Sequence, residues 1–197
     1  MGLRRGGGNR DDNPGVIGKK DEQASGPLGG KAEDRGPDRY KMREKIFDIG
    51  DDYWVETQSG RRAYKVDGKA LHLRKTLILE KPGGGAVYEV QSNPIAIKDK
   101  MSVSKPHGRD VATIKHALIS PLRDRMTANM ADGPDIEIKG NLLNHEYKME
   151  RRGKRIAEIS KRWIAIRDTY TVEVDGGEDD ALILALTVVV EQMCQEQ

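Results

Sequence analysis

At 197 residues and 22.0 kDa the chain is long enough for one domain with an appendage. Its 34 basic and 32 acidic residues leave a net charge of +2, which excludes a general polycation for nucleic acid and confines any anion-binding role to a local patch. The lone cysteine, Cys194, excludes an internal disulfide or a cysteine-based zinc site and fits a reducing cytoplasm.

Residues 1–39 hold 10 of the 22 glycines, no aromatic residue, and 8 basic against 7 acidic side chains. Such a segment cannot bury enough apolar surface to offset the entropy of ordering, so it reads as a disordered tail before a domain over 40–197. Met1-Gly2-Leu3-Arg4-Arg5 runs into glycines, which predicts no secretory or twin-arginine signal. From Tyr40 onward, apolar and polar residues alternate with the period of a strand. Strands are predicted at Tyr53–Thr57, Ala63–Val66, Thr76–Lys81, Ala86–Val90, Met101–Val103, Val111–Ile114, Ile136–Ile138, Tyr147–Met149, Ile156–Ile159 and Tyr170–Val174. Asp67-Gly68, Pro82-Gly83-Gly84-Gly85 and Arg151-Arg152-Gly153-Lys154 read as turns between them. About a dozen short strands without intervening amphipathic helices predict a sandwich or barrel rather than a parallel βαβ sheet. The register through 94–134 stays open.

The last element differs. Gly176-Gly177-Glu178-Asp179-Asp180 precedes an apolar stretch from Ala181 to Cys194, whose run to Val190 is broken only by Thr187. That run is about half the ~20 residues that span a bilayer. The acidic triplet suits a helix N-terminus, and a helix apolar on every face must be enclosed, as a barrel would enclose it. A buried strand is the competing reading for β-branched Thr187–Val190; the length and the Ala/Leu-rich first half favour a helix.

Tyr40-Lys41-Met42-Arg43-Glu44-Lys45, Tyr64-Lys65-Val66-Asp67-Gly68-Lys69-Ala70, His145-Glu146-Tyr147, Ala157-Glu158-Ile159-Ser160-Lys161-Arg162-Trp163, Asp168-Thr169-Tyr170 and Gly177-Glu178-Asp179-Asp180-Ala181 occur in an order and spacing that resemble the LURP-one-related family, in the Tubby-like and phospholipid-scramblase-like superfamily. The resemblance implies a mainly β fold: a closed antiparallel barrel of about twelve strands around a central, hydrophobic C-terminal α-helix. Ile164 and Ile166 stand where many relatives carry aromatic residues.

No catalytic constellation accompanies these motifs. His72, His107, His116 and His145 lack metal-ligand spacing, and Gly83-Gly84-Gly85 lacks the Lys-Ser/Thr of a phosphate loop. Two sets of candidate residues remain. Arg61, Arg62, Arg151, Arg152, Lys154 and Arg155 on turns could meet anionic phospholipid or phosphoinositide headgroups. Asp168, Asp175, Glu178, Asp179 and Asp180 offer hard oxygen ligands for Ca²⁺, with capping of the helix as the alternative. The resulting expectation is a non-catalytic binding or scaffold module, cytoplasmic and peripheral at a membrane, recognising anionic lipid or a protein partner, without nucleic acid or a transmembrane span. A scramblase-related membrane protein with a Ca-responsive acidic loop, or an enzyme of unrecognised type, are the alternatives.

Overall fold

The computed structural model describes residues 36–43, 53–71, 74–92, 100–116, 125–161 and 169–195, all within one compact unit over Lys31–Gln197. Residues 1–35 of the expected tail, together with Asp168, Ile164 and Ile166, lie outside the described residues. The elements are β1 (Asp38–Arg43), β2 (Tyr53–Thr57), β3 (Arg62–Leu71), β4 (Arg74–Glu80), β5 (Ala86–Ser92), β6 (Lys100–Ser104), β7 (Asp110–His116), β8 (Arg125–Met130), β9 (Ile136–Asn141), β10 (Glu146–Arg151), β11 (Lys154–Ser160), β12 (Thr169–Val174) and α1 (Asp180–Gln195). Each strand pairs antiparallel with its neighbour in sequence, and β1 meets β12 with Tyr40 opposite Val172, so twelve strands close into a barrel that has no edge. The expected barrel and terminal helix are both present.

Alternation puts one face of each strand inside. Val55, Leu79, Val90, Val103, Ile114, Met126, Ile138, Met149, Ile159 and Val172 are all buried against α1 or its surroundings. The helix is buried from Ala181 to Met193, which is why it needs no polar stripe. Each fully buried Leu, Ile or Val there contributes about 1.5–3 kcal/mol. Thr187, inside the apolar run, returns its hydroxyl to the Ile183 carbonyl at 2.9 Å and so leaves no open donor.

Because every connection reverses direction, the turns after even-numbered strands share one end of the barrel, and α1 enters there. Five hairpins lie at this end: β2–β3, β4–β5, β6–β7, β8–β9 and β10–β11. Four of them carry a bulge just before the turn, at Val55/Glu56, Leu79/Glu80, Val103/Ser104 and Met149/Glu150, whereas β8–β9 pairs without a shift. Bulges bend and twist the strand that carries them, and barrel rims are where they concentrate.

One expected turn is corrected. Asp67-Gly68 is no hairpin tip: β3 runs through it, with Asp67 opposite Ile78 and Gly68 opposite Leu77. Gly68 is not among the glycines with positive φ. The ladder to β4 continues past it, so tertiary pairing overrides the local turn preference. Two further strands, β1 and β8, were not predicted from alternation; each buries only two side chains, Tyr40 with Met42 and Met126 with Ala128.

Candidate functional site

The end of the barrel where α1 enters gathers both sets of candidate residues. Arg61 and Arg62 follow the β2–β3 turn, and Arg151–Arg155 form the β10–β11 hairpin. That hairpin is a two-residue turn with Arg152 at φ 52° and Gly153 at φ 73°, the left-handed pair that matches strand twist. Arg151 binds Glu178 at 2.6 Å, while Arg155 binds Glu158 at 2.6 Å and Asp175 at 3.0 Å. Two expected headgroup ligands are therefore held by two expected calcium ligands. Arg62 lies over the Trp54 ring at 4.3 Å from its centroid. Arg61, Arg62, Arg152 and Lys154 are exposed, and among the described residues no ion pair engages them.

Asp168 lies outside the described residues, and the other four carboxylates each have a partner of their own: Asp175 meets Arg155 and Glu178 meets Arg151. Asp179 caps α1, its Oδ1 accepting from the Leu182 amide at 3.0 Å. Its Oδ2 accepts from the Tyr88 hydroxyl at 2.7 Å, and Asp180 accepts from Tyr40 at 2.7 Å. Among the described residues no three His, Cys, Asp or Glu side chains converge as a metal site.

Those contacts belong to a larger pattern that the sequence reading missed. Tyr40, Tyr64 and Tyr88 are each the third residue of β1, β3 and β5, and surround the acidic start of α1. Tyr53, the first residue of β2, and Tyr147 and Tyr170, the second of β10 and β12, lie at the opposite end, around Glu191 and His145. All six tyrosines thus sit in two tiers, one at each end of the helix. Even spacing at 40, 64 and 88 was the signal available in the sequence: two strands with their turns occupy 24 positions.

Burial first, then the neighbouring carboxylates, raises the pKa of five of these phenols. Tyr64 is pushed up to about 12 by burial and by Asp180 and Asp179. Tyr40 and Tyr88 rise through burial and their hydrogen bonds to Asp180 and Asp179, and Tyr53 and Tyr147 through burial and Glu191. In the unfolded chain a tyrosine ionises near about 10. The neutral phenol is the folded form, so this stabilisation is fully present below about pH 10 and is lost as pH rises through the folded values. Alkaline titration is expected to show tyrosinate absorbance and loss of circular dichroism advancing together above about pH 10. Gradual tyrosinate formation with unchanged dichroism would contradict the two-tier arrangement.

At the far end His145 precedes β10 with φ 55° and is buried. Its Nε2 meets Glu191 Oε2 at 2.5 Å, and its ring stacks on Tyr170 at 4.5 Å. Glu146, next in sequence, instead accepts from Ser160 Oγ at 3.0 Å and from the Lys161 amide at 3.0 Å. His145 thus has its partner 46 residues away in sequence. Cys194 is half-buried near the Tyr147 hydroxyl. No helix among the described residues is long and apolar enough to cross a membrane.

A closed twelve-stranded barrel threaded by its own C-terminal helix, with charged turns at the helix entrance, defines a barrel class with a filled interior. The chain belongs to the LURP-one-related family, whose sequence profile matches residues 39–191. Among solved structures, the X-ray structure of a protein from Arabidopsis thaliana is similar with a TM-score of 0.59 and 18% identity, covering 83% of this chain and 98% of that one; this likeness concerns the fold. Among curated proteins none matches the chain.

Proposed function

We propose that this chain is a non-catalytic binding module that recognises anionic phospholipid through the end of the barrel where α1 enters. One observation carries the reading. Arg61, Arg62, Arg152 and Lys154 come from turns some ninety residues apart, yet share that end, exposed and outside ion pairs among the described residues. On the wall, Arg39, Arg125 and Lys139 are bound to Glu173, Glu137 and Glu150, while Lys115 and Lys148 stand singly, on different strands and not gathered at one end. The filled interior supports surface recognition over an internal ligand, and the lone cysteine supports a cytoplasmic, peripheral protein.

The test is co-sedimentation of the full chain with vesicles containing phosphatidylserine or phosphoinositide. Binding is expected, and the combined Arg61→Ala, Arg62→Ala, Arg152→Asn, Lys154→Ala variant is expected to lose most of it, at about 1 kcal/mol per charge. Asparagine at 152 accepts the left-handed backbone more readily than arginine, so Arg152→Asn alone should raise stability by about 1 kcal/mol while weakening binding. A wild-type chain that ignores anionic vesicles would refute the proposal.

A further inference from the structure

The barrel end is not uniformly charged, and its asymmetry carries an orientation. Around it the hairpins follow the order β2–β3, β4–β5, β6–β7, β8–β9, β10–β11, after which the β12–α1 segment and the start of β1 complete the circle. The four bulged hairpins each present a cation that no ion pair engages among the described residues: Arg61 and Arg62, Lys81, Lys105, and Arg152 with Lys154. Lys105 lies over the Tyr88 ring at 3.8 Å, which holds its ammonium close to the entrance of the helix. Between Lys105 and the entrance, Tyr88 in turn bonds Asp179, so this cation is tied to the helix cap rather than loose on its stem.

The unbulged hairpin is different. β8–β9 carries Asp132 and Asp135, and Asp132 takes up Arg109 of the adjoining turn at 2.7 Å. Asp110 stands exposed beside it. The acidic sector is therefore continuous over Asp110, Asp132 and Asp135. The basic arc runs the other way round, from β10–β11 past the β12–α1 segment, where Asp175, Glu178, Asp179 and Asp180 are taken up by Arg155, Arg151, Tyr88 and Tyr40, and on through β2–β3 and β4–β5 to Lys105.

Resting on the phospholipid reading above, we infer that the barrel docks end-on and tilted on an anionic bilayer, its basic arc lying on the surface and the β8–β9 turn raised from it. The arc is spread over four hairpins rather than drawn from one turn, so the occupant is the charged bilayer surface rather than one headgroup. Association then tracks the density of surface charge and weakens with salt.

Partitioning of the full chain onto phosphatidylcholine vesicles with increasing phosphatidylserine, without phosphoinositide, tests this. Lys81→Gln and Lys105→Gln, which leave the four residues tested above in place, are each expected to weaken binding about fivefold. Lys148→Gln on the outer wall of β10, and Asp135→Asn on the raised turn, are expected to leave it within about twofold. Binding of the wild type that is unaffected by both Lys81→Gln and Lys105→Gln would overturn the tilted arc while leaving the phospholipid reading intact. Displacement by equimolar soluble inositol trisphosphate would overturn it in favour of a single-headgroup pocket. Absence of any binding by the wild type would remove the underlying reading itself.

Discussion

Replacing Gly140 by alanine is expected to destabilise the barrel by about 3–5 kcal/mol, enough to unfold most of a marginal domain. Gly140 sits in β9 at φ 141°, opposite Tyr147. A Cβ built there would stand 2.5 Å from the Glu146 carbonyl oxygen and 2.7 Å from the Tyr147 Cα. Both are backbone atoms of the paired strand, so no side-chain rotation relieves the clash. Gly84 is the control: φ 89°, nothing within 4 Å of its Cβ, and an expected cost of about 1 kcal/mol for alanine. Urea unfolding of the two variants checks the contrast. If Gly140→Ala were as mild as Gly84→Ala, the close approach of β9 and β10 would be wrong.

The second large effect is expected at Glu191. It is the one buried carboxylate of α1 among the described residues, and His145 Nε2 meets it at 2.5 Å. Glu191→Ala is expected to cost about 3 kcal/mol, because it strands a buried imidazole and leaves a void. Glu191→Gln keeps the shape and one acceptor oxygen and is expected to cost about half as much. Asparagine at 145 tolerates the left-handed backbone, so His145→Asn isolates the loss of the imidazole contact. A double-mutant cycle from urea unfolding of His145→Asn, Glu191→Gln and the pair is expected to give a coupling of about 1–3 kcal/mol. Additive effects would mean that the two side chains do not hold each other.

The physical reason for so polar a pair in the core lies in the helix it anchors. Residues 181–190 are buried on every side, so burial alone barely distinguishes one rotation or axial shift of α1 from another. Asp179 and Asp180 at one end and Glu191 at the other accept from fixed donors on the wall, and set where the helix stops and which way it faces. Such contacts stabilise little in net terms but define a single arrangement.

Much of this was legible in the order of residues. The closing helix announced itself by its apolar run after acidic residues, interrupted only by Thr187, and the β10–β11 tip by Arg-Gly between alternating segments. Met42, Met126 and Ala128 stand at the buried positions where other strands carry β-branched residues, so Asp38–Arg43 and Arg125–Met130 gave little strand signal. Asp67-Gly68 misled because a turn preference of this size yields to seven paired residues between β3 and β4. Arg61 and Arg62 lie some ninety positions from Arg151–Arg155 in the sequence; that they share one end follows only from counting reversals around a closed barrel. The ion pairs that occupy Arg151 and Arg155, and the meeting of His145 with Glu191, depend on contacts across the barrel that no local spacing encodes.

Closure by β1 on β12 has a consequence for biosynthesis. Asp38 pairs with Val174, and the helix that fills the interior comes after every strand. During translation all twelve strands emerge before their core does. Until α1 clears the ribosome, their inward faces have nothing to pack against and the seam cannot be completed. Partial chains would expose a wide apolar sheet, a form prone to association. The domain therefore completes its fold only once α1 has been made, and a nascent chain interrupted before residue 180 lacks the core of the barrel.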